Sequence, residues 1–228
     1  MNTGVERALE RIAIEFAPAA LASSLSAEDM VLTDAIARAE LPIGVFVLDT
    51  RRLHADTLEL IQTTKRHYGI EVQVFTPDAD AVAEYVAGHG RDAFYGNLDL
   101  RRRCCEIRKV EPLKRALRGK RAWITGQRRE HSAERARLPE REFDGVHGIE
   151  KFNPLAACSA AEVWNYVRAR RVPYNRLYDQ GYRSIGCAPC TRPLLPGEDP
   201  RAGRWWWELA EHRECGLHPR NQEAANAA

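Results

Sequence analysis

Cysteine and methionine are scarce in this chain, six and two of 228 residues. An excess of either charge is missing too: 34 lysines and arginines face 32 acids, a formal net charge of +2. That balance argues against a general polycation, so any anion must be met by local clusters of arginine and lysine. No apolar stretch approaches the ~20 residues that cross a bilayer. The N-terminus, MNTGVERALERIAIEF, carries acids and helical periodicity and lacks the apolar core of a secretory signal. These absences lead to the expectation of a cytoplasmic, reducing setting with no membrane partner. In that setting cysteines serve as metal ligands or reactive thiols rather than as a disulfide framework.

What is present reads as an α/β protein. Val5, Leu9, Ile12 and Phe16 share one helical face. AALASS (19–24) reads as a short buried strand, and Ser26 with the acids after it caps a helix to about Arg38. IGVFVL (43–48) is the continuous apolar run of a strand covered on both faces. A helix from about Ala55 to Tyr68, stopped by Gly69, and the strand EVQVF (71–75) complete a β-α-β-α-β order. That order predicts an open, mainly parallel sheet with helices on both faces. Residues 79–118 read as mostly helical, RAWIT (121–125) as a strand, 127–147 as a loop and IEKFNPL (149–155) as a last short strand. SAAEVWNYVRARR (159–171) is a capped helix with Val163, Tyr166 and Val167 inward. The chain beyond Pro173 is loop-like, WWWELAEHRE is a short helix, and the tail NQEAANAA is disordered. No linker divides the chain, so one domain over 1–228 is expected. Ligands of such sheets sit at the carboxyl ends of strands. That points to the loops Ser23–Asp29, Asp49–His54 and Gly126–Arg137.

The cysteines carry the chemistry. RRRCCEIRK holds Cys104 and Cys105, and IGCAPC holds Cys187 and Cys190. A C-x-x-C loop aims two thiolates at one centre. With the second pair it supplies the four thiolates of a [4Fe–4S] cluster or a Zn(Cys)₄ site. Adjacent ligands diverge by about 100° on a helix, which suits a large cubane better than one zinc ion. A thioredoxin-like redox pair is disfavoured, because Cys190 runs into Thr-Arg-Pro rather than opening a helix. Burial of Cys104 and Cys105 as plain apolar residues is the bland alternative. Cys158, among small apolar residues at a helix start, reads as packing. Cys215, in HRECGLHPR, has His212, Arg213 and His218 beside it. Cations lower a thiol pKa, so it reads as a nucleophile.

Together these residues resemble the bacterial assimilatory APS/PAPS reductase family, on its APS branch. The resemblance runs from about Ser23 to His218. It rests on RRRCCEIRKVEPLKRAL, AWITGQRREHS, IGCAPCTRPLLPGEDPRAGRWWWE and the terminal ECGLH. It implies an adenine nucleotide α-hydrolase (ATP-pyrophosphatase-like) fold. It implies a [4Fe–4S] cluster on Cys104, Cys105, Cys187 and Cys190, and a nucleophilic Cys215 on a mobile segment of about 205–228. The reaction so implied is reduction of adenosine 5′-phosphosulfate to sulfite and AMP through a Cys–S–SO₃⁻ intermediate, with reduced thioredoxin or a glutaredoxin-like protein as donor. Substrate-binding positions fall on Lys109, Arg201, Arg204 and Arg135. Ser23, Ser24 and Ser26 form the nucleotide loop, and His218 orients the tail or stabilises the thiolate. Relatives that cleave ATP favour glycines in that loop, and relatives often carry glycine where Arg51 stands. Trp205–Trp207 read as packing rather than as a stacking platform. A homo-oligomer is possible.

Two rivals stay in view. One is the 3′-phosphorylated nucleotide as substrate, alone or alongside. The other, of a different class, is a zinc-stabilised RNA-binding module using Arg101–Arg103 and Arg128–Arg129. The net charge of +2 speaks against it, so no nucleic-acid partner is expected.

Overall fold

The computed structural model describes residues 3–132, 135–209 and 217. Helix α1 (Thr3–Glu15) leads into β1 (Ala19–Ser23), α2 (Ala27–Arg38), β2 (Ile43–Leu48), α3 (Ala55–Tyr68) and β3 (Val72–Phe75). Then come α4 (Ala79–His89), α5 (Leu98–Cys105), α6 (Glu111–Leu117), β4 (Ala122–Ile124), β5 (Arg141–Asp144), β6 (Ile149–Phe152) and α7 (Ala160–Arg170). The sheet order is β3-β2-β1-β4-β6-β5. All pairs are parallel except β5–β6.

Local sequence explains the boundaries. Ser26 accepts the Asp29 N–H and caps α2, while Gly69 takes φ 65° and ends α3. Ser159 and Glu162 cap α7 reciprocally. Strand side chains alternate between two cores. Leu21, Val45, Val47, Ile124 and Phe152 face one side, with Leu9, Ile12, Met30, Leu60, Val163 and Val167 from α1, α2, α3 and α7. Ala20, Phe46 and Trp123 face the other, against Leu113, Ala116 and Leu117 of α6. Helices thus cover both faces, and Cys158 packs on the larger core.

Three stretches differ from the sequence reading. Residues 127–147 are not wholly loop, since Arg141–Asp144 forms the antiparallel edge strand β5. REFD has no apolar alternation to announce it. Pairing comes instead from cross-strand ions, Arg141–Glu150 at 3.0 Å and Lys151–Glu142 at 2.8 Å. Between α5 and α6 the helix widens into a π-turn over Glu106–Val110. Pro112 offers no N–H to the carbonyl of residue 108 and its ring crowds that carbonyl, so the preceding turn opens. Lastly, residues 205–209 of WWWELAEHRE form turns rather than a helix. Trp205 has φ 41°, and its N–H donates to Cys190 O at 3.2 Å, which ties the backbone to the cysteine loop. The rest of that stretch, the tail, Cys215 and His218 lie outside the described residues. No helix among the described residues is long and apolar enough to cross a membrane.

Candidate active site

The strand order reverses between β1 and β4, the topological switch point where open α/β sheets bind ligands. The loops after these strands meet there at close range. Gly126 N–H donates to Asp29 Oδ1 at 3.0 Å, and a side chain at Gly126 would overlap that carboxylate. A large, open cavity lies at this point. Ser23, Ser24 and Ser26, Glu28 and Asp29 line it, as do Thr50, Gly126, His131 and Arg135. Lys109, Arg201 and Arg204 reach it from the far side. The structure therefore gathers every described substrate-binding candidate around one space.

The serines are less free than a Ser-rich loop suggests. Ser24 spends both its N–H and its hydroxyl on Asp29 Oδ2, each at 2.7 Å. Ser23 Oγ accepts the Leu25 N–H at 3.2 Å, and Ser26 caps α2. Asp29 thus shapes the loop, and burial pushes its carboxyl above the usual range against the pull of the Ser24 donors. Leu25, without glycine's freedom, sits at φ 61°. Arg51 likewise sits at φ 59° in the second loop. Both loops keep a left-handed turn at the cost of local strain, as ligand-binding turns often do.

The sequence assigns Arg128 only to the RNA-binding alternative and gives His131 no role of its own. Both hold the third loop down. Arg128 Nε donates to Glu28 Oε1 at 2.9 Å, and its Nη1 donates to Glu130 Oε2 and Cys158 O. Arg128 N–H donates to His131 Nδ1 at 3.2 Å, leaving Nε2 to donate to Glu28 Oε1 at 3.1 Å. Burial raises the Glu28 carboxyl, but His131 and Arg128 overcome it and hold it down at about 2. A carboxyl depressed in the fold stabilises it above the unfolded value of 4.5 and stops doing so as pH falls towards 2. On the order of 3 kcal/mol should therefore be lost across that window. Urea midpoints taken from about pH 5 to about pH 2.5 should fall, and the fall should be much shallower in Glu28→Gln. An identical acid limb in that variant would contradict the assignment.

Beside this cavity lies a second, smaller one. Cys104, Cys105, Cys187 and Cys190 all line it, with Arg52, Phe94, Arg101, Arg108 and Lys109. Residues some 80 apart in sequence are brought together by specific bonds. Leu53 and Cys187 form an antiparallel bridge, and Ala188 N–H donates to Arg52 O at 2.7 Å. Arg108 reaches Thr50 O at 2.9 Å, and the Thr50 hydroxyl lies 3.2 Å from Cys187 Sγ. The π-turn sets Ile107, Arg108 and Lys109 all inward, which no regular helix stripe predicts. Burial, with the neighbouring Cys187 thiol, pushes the Cys190 thiol up to about 12 against the pull of Lys109. Burial likewise raises Cys104, opposed by Arg108.

Four thiols ringed by buried cations suit a group that binds them as thiolates and carries net negative charge. Among the described residues no three His, Cys, Asp or Glu side chains are set to share one metal ion. Lys109 and Cys187 border both this space and the larger cavity, so the two share a wall, and Arg204 and Trp205 line the larger one. Trp205 is 1% exposed, and its ring lies under Arg101, Lys109 and Arg204 at 4.8, 5.7 and 4.5 Å. Trp205 does pack, but not for the expected terminal helix, and Trp206, expected to pack with it, is 37% exposed. The gathering of three cations by Trp205 is not legible in the sequence.

The same geometry removes the RNA-binding alternative's stripe. Arg101 is buried and bidentate to Glu208 at 3.0 and 2.9 Å, while Arg102 and Arg103 face solvent. Arg128 is buried in its own carboxylate pairs.

An open α/β sheet with a cavity at its switch point and a cysteine cage beside it defines the class, and the comparisons define the family. The phosphoadenosine phosphosulfate reductase domain matches residues 18–193, and the chain belongs to that family. It is 55% identical to an adenosine 5′-phosphosulfate reductase of Allochromatium vinosum, over 93% of this chain and 83% of the relative. It is 53% identical to one of Neisseria meningitidis, over 94% of this chain and 88% of the relative. Among solved structures it resembles a phosphoadenylyl-sulfate reductase from Candida auris, with TM-score 0.72 and 27% identity over 84% of this chain and 91% of that one. Yeast FAD synthetase shares the fold at 13% identity and TM-score 0.55, over 83% of this chain and 66% of that one. The fold is that of the adenine nucleotide α-hydrolases.

Proposed function

We propose that the protein reduces adenosine 5′-phosphosulfate to sulfite and AMP during sulfate assimilation. The observation that carries this is the shared wall, where Lys109 and Arg204 border the nucleotide cavity and Lys109 also borders the cysteine cage. Relatives named for this nucleotide align over nearly the whole chain.

Cys215 thiolate attacks the sulfur of the sulfate group, and AMP leaves with the electron pair of the broken S–O bond. The product is Cys215–S–SO₃⁻. A dithiol donor, thioredoxin or a glutaredoxin-like protein, then attacks the Cys215 sulfur, and sulfite departs. The donor's second thiol resolves the mixed disulfide, so the donor supplies both electrons and returns as its own disulfide. Lys109, Arg201, Arg204 and Arg135 neutralise the phosphosulfate. Leu217, two residues beyond Cys215 in sequence, packs against the core of Phe46, Leu113 and Trp123 at the cavity, which supports a terminal segment serving this site. Cys104, Cys105, Cys187 and Cys190 would hold a [4Fe–4S] cluster, which supplies fixed charge and shape to the shared wall.

Steady-state rates with adenosine 5′-phosphosulfate and with its 3′-phosphorylated form test the reading. Reduction should be at least about tenfold more efficient with the former, the ratio that ~1.4 kcal/mol of differential binding gives. Equal or reversed efficiencies would favour the other nucleotide, the one for which the Candida auris protein is named.

A further inference from the structure

Arg204 is held from several directions. Its guanidinium carbon lies 4.5 Å from the centre of the Trp205 ring. Nη1 donates to Ser184 Oγ at 3.3 Å and to Ile185 O at 3.2 Å. Against it lies Gly186. A Cβ built on Gly186 would stand 2.5 Å from Nη2, 2.7 Å from Cζ and 3.1 Å from Nη1. A guanidinium is flat and rigid, so it cannot bend an end away and must move as a unit. Trp205, almost wholly buried, blocks retreat in one direction. Gly186 does not adopt a left-handed φ, so the position does not call for glycine's backbone freedom. What it calls for is the missing side chain.

Gly186 is itself fixed. Its N–H donates to Thr191 Oγ1 at 3.1 Å, and the Thr191 hydroxyl donates to Cys187 O at 3.0 Å. Thr191 also forms an isolated antiparallel bridge with Arg204. The loop that presents Cys187 and Cys190 thus also lays the floor beneath an anion-binding arginine.

We propose that Gly186 is a positioning residue for substrate binding. Its bare Cα seats the Arg204 guanidinium against Trp205, so the size of residue 186 sets the affinity for the sulfonucleotide through Arg204. The identity of the ligand rests on the function proposed above, whereas the seating of Arg204 does not.

The test uses Gly186→Ala in the full-length, iron-loaded protein. A crystal structure should show the guanidinium displaced from the indole, while iron content and visible absorbance match the parent. In a Cys215→Ser background, which holds the nucleotide without turnover, the Kd for adenosine 5′-phosphosulfate should rise about ten- to hundredfold, the worth of one charged hydrogen-bonding group. Gly186→Ala combined with Arg204→Ala should bind no more weakly than Arg204→Ala alone, because both remove the same contact. Additive losses would overturn the proposal. So would an unmoved guanidinium, or a loss of iron that accounts for the weaker binding. If the Cys215→Ser protein with Gly186 intact fails to bind the nucleotide, the functional reading fails, and the crystal structure still decides the seating of Arg204.

Discussion

Cys215→Ser should abolish sulfite release, with turnover falling by roughly 10⁴-fold or more, the scale of removing a covalent nucleophile. Of the six cysteines, four line one cavity and Cys158 packs on the main core, its thiol pushed up by burial. In the cage, burial raises the Cys104 thiol and pushes the Cys190 thiol up to about 12, which makes both poor nucleophiles. Only Cys215 lies in a polar segment rich in histidine and arginine, the setting that favours thiolate. A serine hydroxyl there keeps the size and loses the thiolate. The variant should still bind the nucleotide and keep its iron, which separates lost chemistry from lost structure. Sulfite production within tenfold of the parent would contradict the role.

Cys190→Ser carries the second large effect. The cage draws Arg101, Arg108 and Lys109 into its wall, and Arg101 has Glu208 as a partner. Loss of a thiolate-bound anionic group leaves buried positive charge poorly compensated, which costs about 3–5 kcal/mol when such a partner is removed. The serine variant should lose its brown absorption near 400 nm (an expectation from iron–sulfur chemistry), most of its iron, and about 10²-fold or more in activity. Its thermal midpoint should fall with the iron. A colourless parent containing zinc would replace the cluster reading with a Zn(Cys)₄ site. A Cys190→Ser protein with colour and activity intact would remove the residue from the cage.

Much of this architecture is legible in the chain because the signals are local. Gly69 ends α3, Ser26 begins α2, and the apolar run 43–48 forms β2 as a strand buried by helices. The ends of β1, β2 and β4 mark the cavity for the same reason. What escaped depends on partners distant in sequence. Glu28 meets Arg128 a hundred residues on, and only the closed fold makes that pair buried. Strand β5 exists through its ion pairs with β6, so REFD alone resembles a loop. The π-turn would have required reading Pro112 as a constraint on the turn before it rather than as a helix start. Trp205 was weighed as packing or stacking, yet its ring serves the cations around it. The cysteine pairs gave away the cage. The arginine seat on Gly186 shows only when a missing side chain is measured against its neighbour.

The central claim is that one sulfur takes a sulfonate group from an adenylate. Mass spectrometry of the intact, iron-loaded protein, incubated with adenosine 5′-phosphosulfate and no thiol donor, tests it most directly. The account predicts one adduct of ~80 Da, the mass of SO₃, mapped to Cys215 and released as sulfite when a dithiol is added. An unmodified Cys215 in protein that nevertheless makes AMP and sulfite on adding the donor, or an adduct on another residue, would contradict it.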